Sequence, residues 1–294
     1  MKKLPVRLFI CLLIFSAPTL AKEVNKILDV SAEAEIMIIN IAGDVEIEAW
    51  SRNQVEIDAD LSSGVEELIF EVNGNEVEIE VMVPQHHGRS ISADLRIKVP
   101  ENSSLEVSTV SADISIEDVK GRQRIDTVSG DIDTEAYGAD LDVESVSGDI
   151  DVEGDGGKIR TRANSVSGDI EVEQLDGEIE VSTVTGDIVL YNSSFESVET
   201  QTVNGDIVFH SRLYGDGRMD VETVNGDVDI KFSGEVSARF DIETFNGRIR
   251  NCFGPEPVRT SEYAPGRELR FTEGGGEGRV VIRTLNGGLR LCTE

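Results

Sequence analysis

Six aspartates recur at the same place in successive copies of one short motif, and their side chains have the chemistry of calcium ligands. They are Asp131, Asp149, Asp169, Asp187, Asp206 and Asp227. If the copies stack as parallel strands, neighbouring carboxylates lie about 5 Å apart and repel each other by roughly 1 kcal/mol even in water. Calcium would relieve this repulsion, because hard cations prefer carboxylate oxygens. Alternatively, each carboxylate accepts backbone N–H bonds in its turn; the spacing favours this second interpretation, because it does not match the calcium-binding nonapeptide repeat.

The motif around these aspartates repeats along most of the chain. It reads Thr or Ser, an apolar residue, Ser, Thr or Asn, usually Gly-Asp, and then Ile, Val or Leu. Nine copies run from Thr109–Ile114 to Thr284–Leu289, with steps of 18 to 21 residues and a last step of 40. A fixed period near twenty indicates a repeat protein in which each unit buries its apolar face only against its neighbours.

Apolar residues alternate with polar ones on both sides of the motif, as in Leu141 and Val143 before one copy and Ile150 and Val152 after it. A period of two is typical of β-strands with one buried face. Each repeat therefore holds two short strands joined by a corner, and equivalent strands of successive repeats should pair in parallel. We predict an all-β, parallel β-solenoid of about nine regular coils, with the Ser, Thr and Asn residues of the corners stacked in ladders.

The segments outside the regular copies set the domain boundaries. Residues 1–21 combine a basic start, a short apolar stretch and a small-residue cleavage site, which is typical of a signal peptide. We therefore expect an exported protein that is periplasmic, surface-attached or secreted, with no transmembrane segment in the mature chain. Residues 22–100 are expected to form an irregular N-terminal β cap, and residues 101–294 the regular solenoid. Residues 254–278, rich in Gly, Pro and Glu, are expected to form an inserted loop.

The charge of the chain is strongly negative and unevenly distributed. The formal net charge is −30, which argues against nucleic acid as a partner because phosphate contacts need Lys and Arg. Residues 101–244 contain 34 acids and 10 bases, whereas residues 245–294 contain 6 acids and 8 arginines. The acidic part is either a solubilising surface or a binding surface for divalent cations or cationic peptides.

Two cysteines remain after removal of the signal peptide, and an even number in an exported chain predicts a disulfide. Cys252 and Cys292 each lie five residues after the glycine of their own corner. If residues 254–278 are an excursion from one enlarged coil, the two cysteines are stacked neighbours about 4.8 Å apart, within bonding range. Two ordinary coils in the gap would separate them by about 9.6 Å, so the predicted Cys252–Cys292 bond depends on the excursion.

Several of these motifs resemble the bacterial putative-adhesin family, a family of unknown function. The resemblance covers essentially the whole mature chain and rests on Gly43-Asp44-Val45-Glu46-Ile47, Ala49-Trp50, Val99-Pro100 and the repeated copies. It implies a β-solenoid of the cell envelope, with links to adhesion or envelope stress and with no catalytic residues. Ala112, Arg248 and Gly288 depart from the Gly-Asp pattern.

The sequence leaves three classes of function open. The first is a non-enzymatic scaffold that binds an envelope or surface protein or a glycan. The second is an anionic module for divalent cations or cationic peptides, linked to envelope stress. The third, a carbohydrate-active β-helix enzyme, is disfavoured because a catalytic carboxylate pair should be unique, whereas the carboxylates here recur in nearly every coil. No enzymatic activity and no cofactor are therefore expected, calcium excepted, and His86-His87 is expected to lie in a loop.

Overall fold

The computed structural model of the chain describes residues 22–84, 91–263 and 265–293, and every regular element in them is a β-strand. The predicted signal peptide and His86-His87 lie outside the described residues. The N-terminal strands are β1 Lys22–Asp29, β2 Glu35–Trp50, β3 Gln54–Leu61, β4 Glu67–Asn73, β5 Glu76–Met82 and β6 Ala93–Pro100. The central strands are β7 Ser104–Glu117, β8 Gln123–Ser129, β9 Ile132–Ala136, β10 Leu141–Ser147, β11 Ile150–Gly154, β12 Lys158–Ser167, β13 Ile170–Glu173, β14 Asp176–Thr185, β15 Ile188–Asn204 and β16 Ile207–Asn225. The last strands are β17 Val228–Phe232, β18 Ala238–Asn246, β19 Ile249–Asn251, β20 Val258–Arg259, β21 Arg267–Glu273, β22 Gly278–Asn286 and β23 Leu289–Thr293.

Each repeat forms one coil, with a strand before the corner and a strand after it. Equivalent strands of successive coils pair in parallel, so that Thr109 lies beside Thr127 and Ile114 beside Ile132. The same register continues through the central strands up to β17. The predicted all-β parallel solenoid is confirmed. Among the described residues, no helix is long and apolar enough to cross a membrane.

The core lies inside the coils and is built by the alternation seen in the sequence. Inward residues such as Val107, Ile125 and Val143 stack on one another along the axis and are fully buried. The core of the C-terminal coils also contains an aromatic stack, in which successive ring centroids are 5.8–6.1 Å apart. Its members are Phe195, Phe209, Phe232 and Phe240. Burial of these side chains against their neighbours is the main stabilising contribution of each coil.

The N-terminal part extends the solenoid on both sides of the corner. Strand β2 runs through a degenerate corner, in which Ala42 pairs with Ser111 and Asp44 with Asp113. Before that corner β5 joins β2 in parallel, and β4 joins β5 antiparallel. After the corner β6 joins β2 in parallel, and β3 and then β1 add antiparallel strands. Strands β1 and β4 are therefore the last strands at this end.

At the C-terminal end the order of coils in space differs from their order in the chain. Strand β22 pairs with β16 on one side and β18 on the other, and β23 likewise lies between β17 and β19. The last coil of the sequence is thus inserted between the two coils that precede it. Our expectation that successive repeats always pair is wrong at this point, because the 40-residue gap lets the chain pass over one coil position and return to fill it.

The excursion that makes this return possible is folded. We expected residues 254–278 to form a loop, but they contain β20 and β21, which pair antiparallel with each other. Strand β21 also pairs antiparallel with the outer edge of β18. There the ring of Phe271 stacks on Phe240, with centroids 4.5 Å apart. The excursion therefore covers the end of the solenoid as well as connecting two coils.

Candidate interaction surface

The corner of each coil turns the chain by placing two consecutive side chains outside. In the copy that ends with Gly130, Thr127 points inward and is buried, whereas Val128 and Ser129 are both exposed. Glycine follows because the backbones of neighbouring corners touch. A Cβ on Gly148, for example, would lie 2.1 Å from the carbonyl oxygen of Gly130. The repeated motif therefore produces parallel rows of identical side chains along the outside of the solenoid.

Hydrogen bonds between coils hold these rows in register. From Thr183 onward the buried threonines of the corners donate to the coil beside them, as Thr183 Oγ1 does to the carbonyl oxygen of Gly168 at 3.2 Å. The outward asparagines form a side-chain ladder in which Asn225 donates to Asn204 and Asn286 to Asn225, at 2.9 and 2.8 Å. Asn246 donates to Asn286 at 2.9 Å. Each of these corners is therefore bonded to the corners of the coils beside it.

The six predicted metal ligands form one exposed row, which we call the aspartate row, and a backbone amide donates to one carboxylate oxygen of each. They are Asp131, Asp149, Asp169, Asp187, Asp206 and Asp227. The amide N–H of each aspartate from Asp131 onward donates to the Oδ1 of the aspartate in the coil before it, at 2.7–3.0 Å. Asp227 accepts from the amide of Gly288 at 2.7 Å. Within the described residues no group of three or more His, Cys, Asp or Glu side chains is arranged to hold a metal ion. The bonds link coils, whereas the sequence had suggested bonds within each turn.

A second row, which our sequence analysis did not single out, is apolar and exposed. The residue before the Ser, Thr or Asn of each corner keeps 38–51% of its surface exposed in nine coils. In spatial order these residues are Val110, Val128, Val146, Val166, Val184, Val203, Val224, Leu285 and Phe245. We call this row the apolar ridge. The sequence signals this row by a break in the alternation. Two consecutive residues of each corner lie on the outward side of the chain, and the first of them is apolar.

A groove runs beside the C-terminal half of the apolar ridge. Its volume is about 650 Å³, and the ridge residues from Val184 to Phe245 form part of its lining. Outward polar residues, including Gln201, Glu222 and Arg283, also line it. Thr260 and Gly266 of the excursion contribute at the end of the solenoid. The groove is thus long and partly apolar, and its sides come from several coils.

The face after the corner carries the most crowded carboxylates. A shallow groove of about 210 Å³ is lined by Asp133, Asp151, Val152, Glu153, Glu171, Glu173 and Tyr191. Partial burial raises the pKa of Asp151, and the charges of Glu171 and Asp133 raise it further. Hydrogen bonds to Glu171 and Glu173 raise the pKa of the Tyr191 hydroxyl. This face therefore holds negative charge that nearby cationic side chains do not fully offset.

The predicted cysteine pair lies on the same face at the C-terminal end. Cys252 and Cys292 form a disulfide bond, with Cα atoms 4.9 Å apart. Their coils are neighbours in space, because the coil of Cys292 is the inserted one. The amide of Cys252 also donates to the carbonyl oxygen of Leu291 at 2.9 Å. The bond thus joins the inserted coil to the coil at the end of the solenoid.

Fold and surface together define a non-globular repeat protein: a parallel β-solenoid that presents rows of identical side chains. The family model described as Toastrack DUF4097 matches residues 34–288, and the chain belongs to this family. The family is a domain of unknown function, as the motifs in the sequence implied. A search of curated proteins gives no match.

Solved structures from several bacteria match most of the chain at low sequence identity. A putative lipid binding protein from Parabacteroides distasonis is 13% identical, with 92% of this chain and 96% of that chain covered and a TM-score of 0.47. A putative adhesin from Bacteroides fragilis is 11% identical, with 92% and 96% covered and a TM-score of 0.44. A putative cell adhesion protein from Clostridium sporogenes is 13% identical, with 93% and 100% covered and a TM-score of 0.31.

Proposed function

We propose that this chain is an exported, non-enzymatic interaction scaffold of the cell envelope, and that the apolar ridge is its main contact surface. The observation that supports this proposal is the unbroken row of nine exposed apolar side chains from Val110 to Phe245. Soluble proteins seldom expose a continuous apolar surface of this length unless it binds something. The partner is an envelope or surface protein or a glycan.

The fold itself does not require apolar side chains on the ridge. Threonine has nearly the shape of valine and is equally suited to a β-strand. An exposed corner position could therefore hold threonine in every coil, as the buried position beside it often does. An apolar residue at this position in nine coils is better explained by a contact that excludes water than by the needs of the backbone.

The size of the ridge is consistent with a binding role. Each ridge side chain keeps roughly half of its surface exposed, so covering one completely would contribute about 1 kcal/mol. Covering several coils would contribute several times that amount to the binding free energy. Part of this contribution offsets the translational and rotational freedom that the partner loses. Neighbouring coils lie about 4.8 Å apart, so a partner of ordinary size can contact many of them at once.

A second candidate function is capture of divalent cations or cationic peptides in a response to envelope stress, and one observation favours it. The row of aspartates from Asp131 to Asp227 follows the apolar ridge on one side. On the other side an outward acid precedes the ridge residue by two positions in four of the nine coils, as Asp126, Glu144, Glu222 and Glu243. A cationic, partly apolar peptide would complement both the charge and the apolar surface.

Catalysis is not part of the proposal. The carboxylates that could serve as acid and base recur: the aspartates of the corner continue from Asp131 to Asp227, and the crowded acids after the corner repeat in three successive coils, as Asp133, Asp151 and Glu171 do. A catalytic pair should instead be unique to one coil. The proposal predicts no turnover of envelope polysaccharides. Hydrolysis or lysis of such a polymer that one point substitution abolishes would contradict it.

Export is supported by two independent features. The signal-peptide pattern in residues 1–21 predicts translocation. The Cys252–Cys292 disulfide is suited to an oxidising compartment such as the periplasm or the cell exterior. Fractionation of cells that express the full chain would test the assignment, and recovery of the protein in the cytoplasm with its first residues intact would contradict it.

Two matched double variants test the binding role of the ridge. V203T/V224T removes apolar character from neighbouring ridge positions, and V189T/V208T does the same at neighbouring outward positions after the corner. The immobilised proteins are mixed with native envelope material, and retained proteins and glycans are identified by mass spectrometry. We expect the ridge variant to lose partners that the control variant and the wild type retain. Equal retention by all three proteins would contradict the proposal.

A further inference from the structure

Three arginines that are far apart in the sequence become neighbours through the inserted coil. Arg218 pairs with Arg279, and Arg279 pairs with Arg239 on its other side. Their strands are adjacent and parallel, so the three side chains leave the same face about 4.8 Å apart. All three are exposed. In a chain with a formal net charge of −30, three consecutive positive charges at one place are unusual.

The same row of side chains behaves differently in the middle of the solenoid. There, each arginine has a carboxylate on the next strand: Arg160 pairs with Glu178 at 3.0 Å, and Arg122 lies 3.9 Å from Asp140. The row continues through Ser197 to Arg218. The first four positions thus alternate in charge, and the last three do not. The charges of the first four positions therefore offset one another, whereas the three positive charges at the end of the row do not.

The acids around the three arginines do not neutralise them either. Asp241 is bound by Arg270 at 2.9 Å, and Glu277 accepts a hydrogen bond from Ser237. Asp220 is close enough to Arg279 to feel its charge, but it feels the charge of Arg283, outside the row, more strongly. Within the described structure, no ion pair or hydrogen bond joins Arg218, Arg239 or Arg279 to a carboxylate. The three charges are left to repel one another.

We propose that Arg218, Arg279 and Arg239 form a binding site for a phosphate-bearing ligand. A single carboxylate is satisfied by one arginine, as Glu178 is by Arg160 in the same row. A phosphomonoester carries a charge of about −1.5 to −2 at neutral pH and three acceptor oxygens, so it can bind two adjacent guanidinium groups at once. The planar guanidinium fork suits phosphate geometry, and strands on both sides hold the central arginine in place. This site is separate from the apolar ridge and does not depend on its function.

Calorimetry and vesicle binding test the site with two sources of the same chemistry. The soluble probe is inorganic pyrophosphate, titrated at low ionic strength. The membrane probe is a vesicle of phosphatidylcholine with phosphatidic acid, whose headgroup is a phosphomonoester, and pure phosphatidylcholine serves as the reference. The variants are Arg279→Gln, at the centre of the row, and Arg160→Gln, at an exposed position of the same row. Circular dichroism and the melting temperature establish that both variants fold.

We expect the wild type to bind at least one probe, with affinity that falls as salt rises. Arg279→Gln should weaken that binding at least about tenfold, whereas Arg160→Gln should leave it unchanged, because Arg160 already has a carboxylate partner. Binding of pyrophosphate alone would indicate a soluble phosphate ligand, and binding of the acidic vesicles would indicate a lipid headgroup. Absence of binding to both probes, or an equal loss in the two variants, would overturn the proposal.

Discussion

The side chain of Asn286 donates a hydrogen bond of 2.8 Å to Asn225, although 61 residues separate them in the chain. Asn246 lies between them in sequence but beyond Asn286 in space, and it donates to Asn286 at 2.9 Å. This order of asparagines is the local form of the inserted coil. It means that the coil at the end of the solenoid forms from residues that precede the last coil in the chain.

The stability of asparagine variants depends on this order. Asn286→Ala removes two side-chain hydrogen bonds, whereas Asn246→Ala removes one. We expect the first to lower the free energy of unfolding by about 1–2 kcal/mol and the second by about 0.5–1 kcal/mol. Denaturant unfolding of both variants gives the comparison. A larger loss for Asn246→Ala would indicate that the coils stack in chain order.

The disulfide should stabilise the end of the solenoid. Cys252 and Cys292 close a long loop that contains the whole excursion, with a sequence separation of 40. We expect Cys292→Ser to lower the free energy of unfolding by about 2–4 kcal/mol. Intact mass with and without reductant should show one disulfide in freshly purified, exported protein. Two free thiols in that material would contradict the pairing.

Glycine in the corner is required by contact between coils. A Cβ on Gly226 would lie 1.8 Å from the carbonyl oxygen of Gly205, whereas nothing lies within 4 Å of a Cβ on Gly138. We therefore expect Gly226→Ala to destabilise the fold by about 2–3 kcal/mol, and Gly138→Ala to have almost no effect. Equal melting temperatures for the two variants would mean that the corners do not approach as closely as described.

Variants of Asp187 can distinguish two roles for the aspartate row: acceptor of backbone hydrogen bonds, or calcium ligand. Asp187→Asn keeps an Oδ1 for the amide of Asp206, whereas Asp187→Ala removes it. If the backbone bond is the main role, we expect the Asn variant to be as stable as the wild type and the Ala variant to lose about 1 kcal/mol. Calcium and magnesium should then raise the melting temperature equally, by screening. A rise specific to calcium that Asp187→Asn abolishes would instead establish a calcium site.

Asp151 predicts a dependence of stability on pH. Its pKa is raised in the folded chain, first by partial burial and then by Glu171 and Asp133. The folded chain therefore binds the proton more readily than the unfolded chain, and the charged form opposes folding at all pH values above the raised pKa. We expect Asp151→Asn to raise the melting temperature at pH 7, with a gain that shrinks as the pH falls towards about 4. A gain that grows on acidification would contradict this assignment.

The sequence predicts the coils well because each one carries the same local signals. Alternation around Leu141 and Ile150 is enough to define two strands and their buried face. The order of the last coils cannot be predicted in this way, because Asn225, Asn246 and Asn286 occupy equivalent corners and any of them can pair with any other. The cysteines indicate that two coils are neighbours but not which of them is at the end.

Only part of the candidate interaction surface can be predicted from the sequence. The aspartate row stands out in the sequence because its residues are charged. The apolar residue of each corner does not stand out, because it is of the same type as the buried residues of the strands on either side. Val128 is exposed because the alternation breaks at the corner, where Val128 and Ser129 both point outward. The row of three arginines cannot be predicted from the sequence, because Arg279 lies between Arg218 and Arg239 only through the inserted coil.

Site-specific photocrosslinking in living cells tests the central claim most directly. A photoreactive residue replaces Val224 on the apolar ridge, and the same residue replaces Val208, after the corner, as the control. The account predicts discrete crosslinked products at Val224 that are absent at Val208, since only the ridge is buried against a partner. Crosslinks at Val208 and none at Val224, or no difference between the two positions, would contradict it.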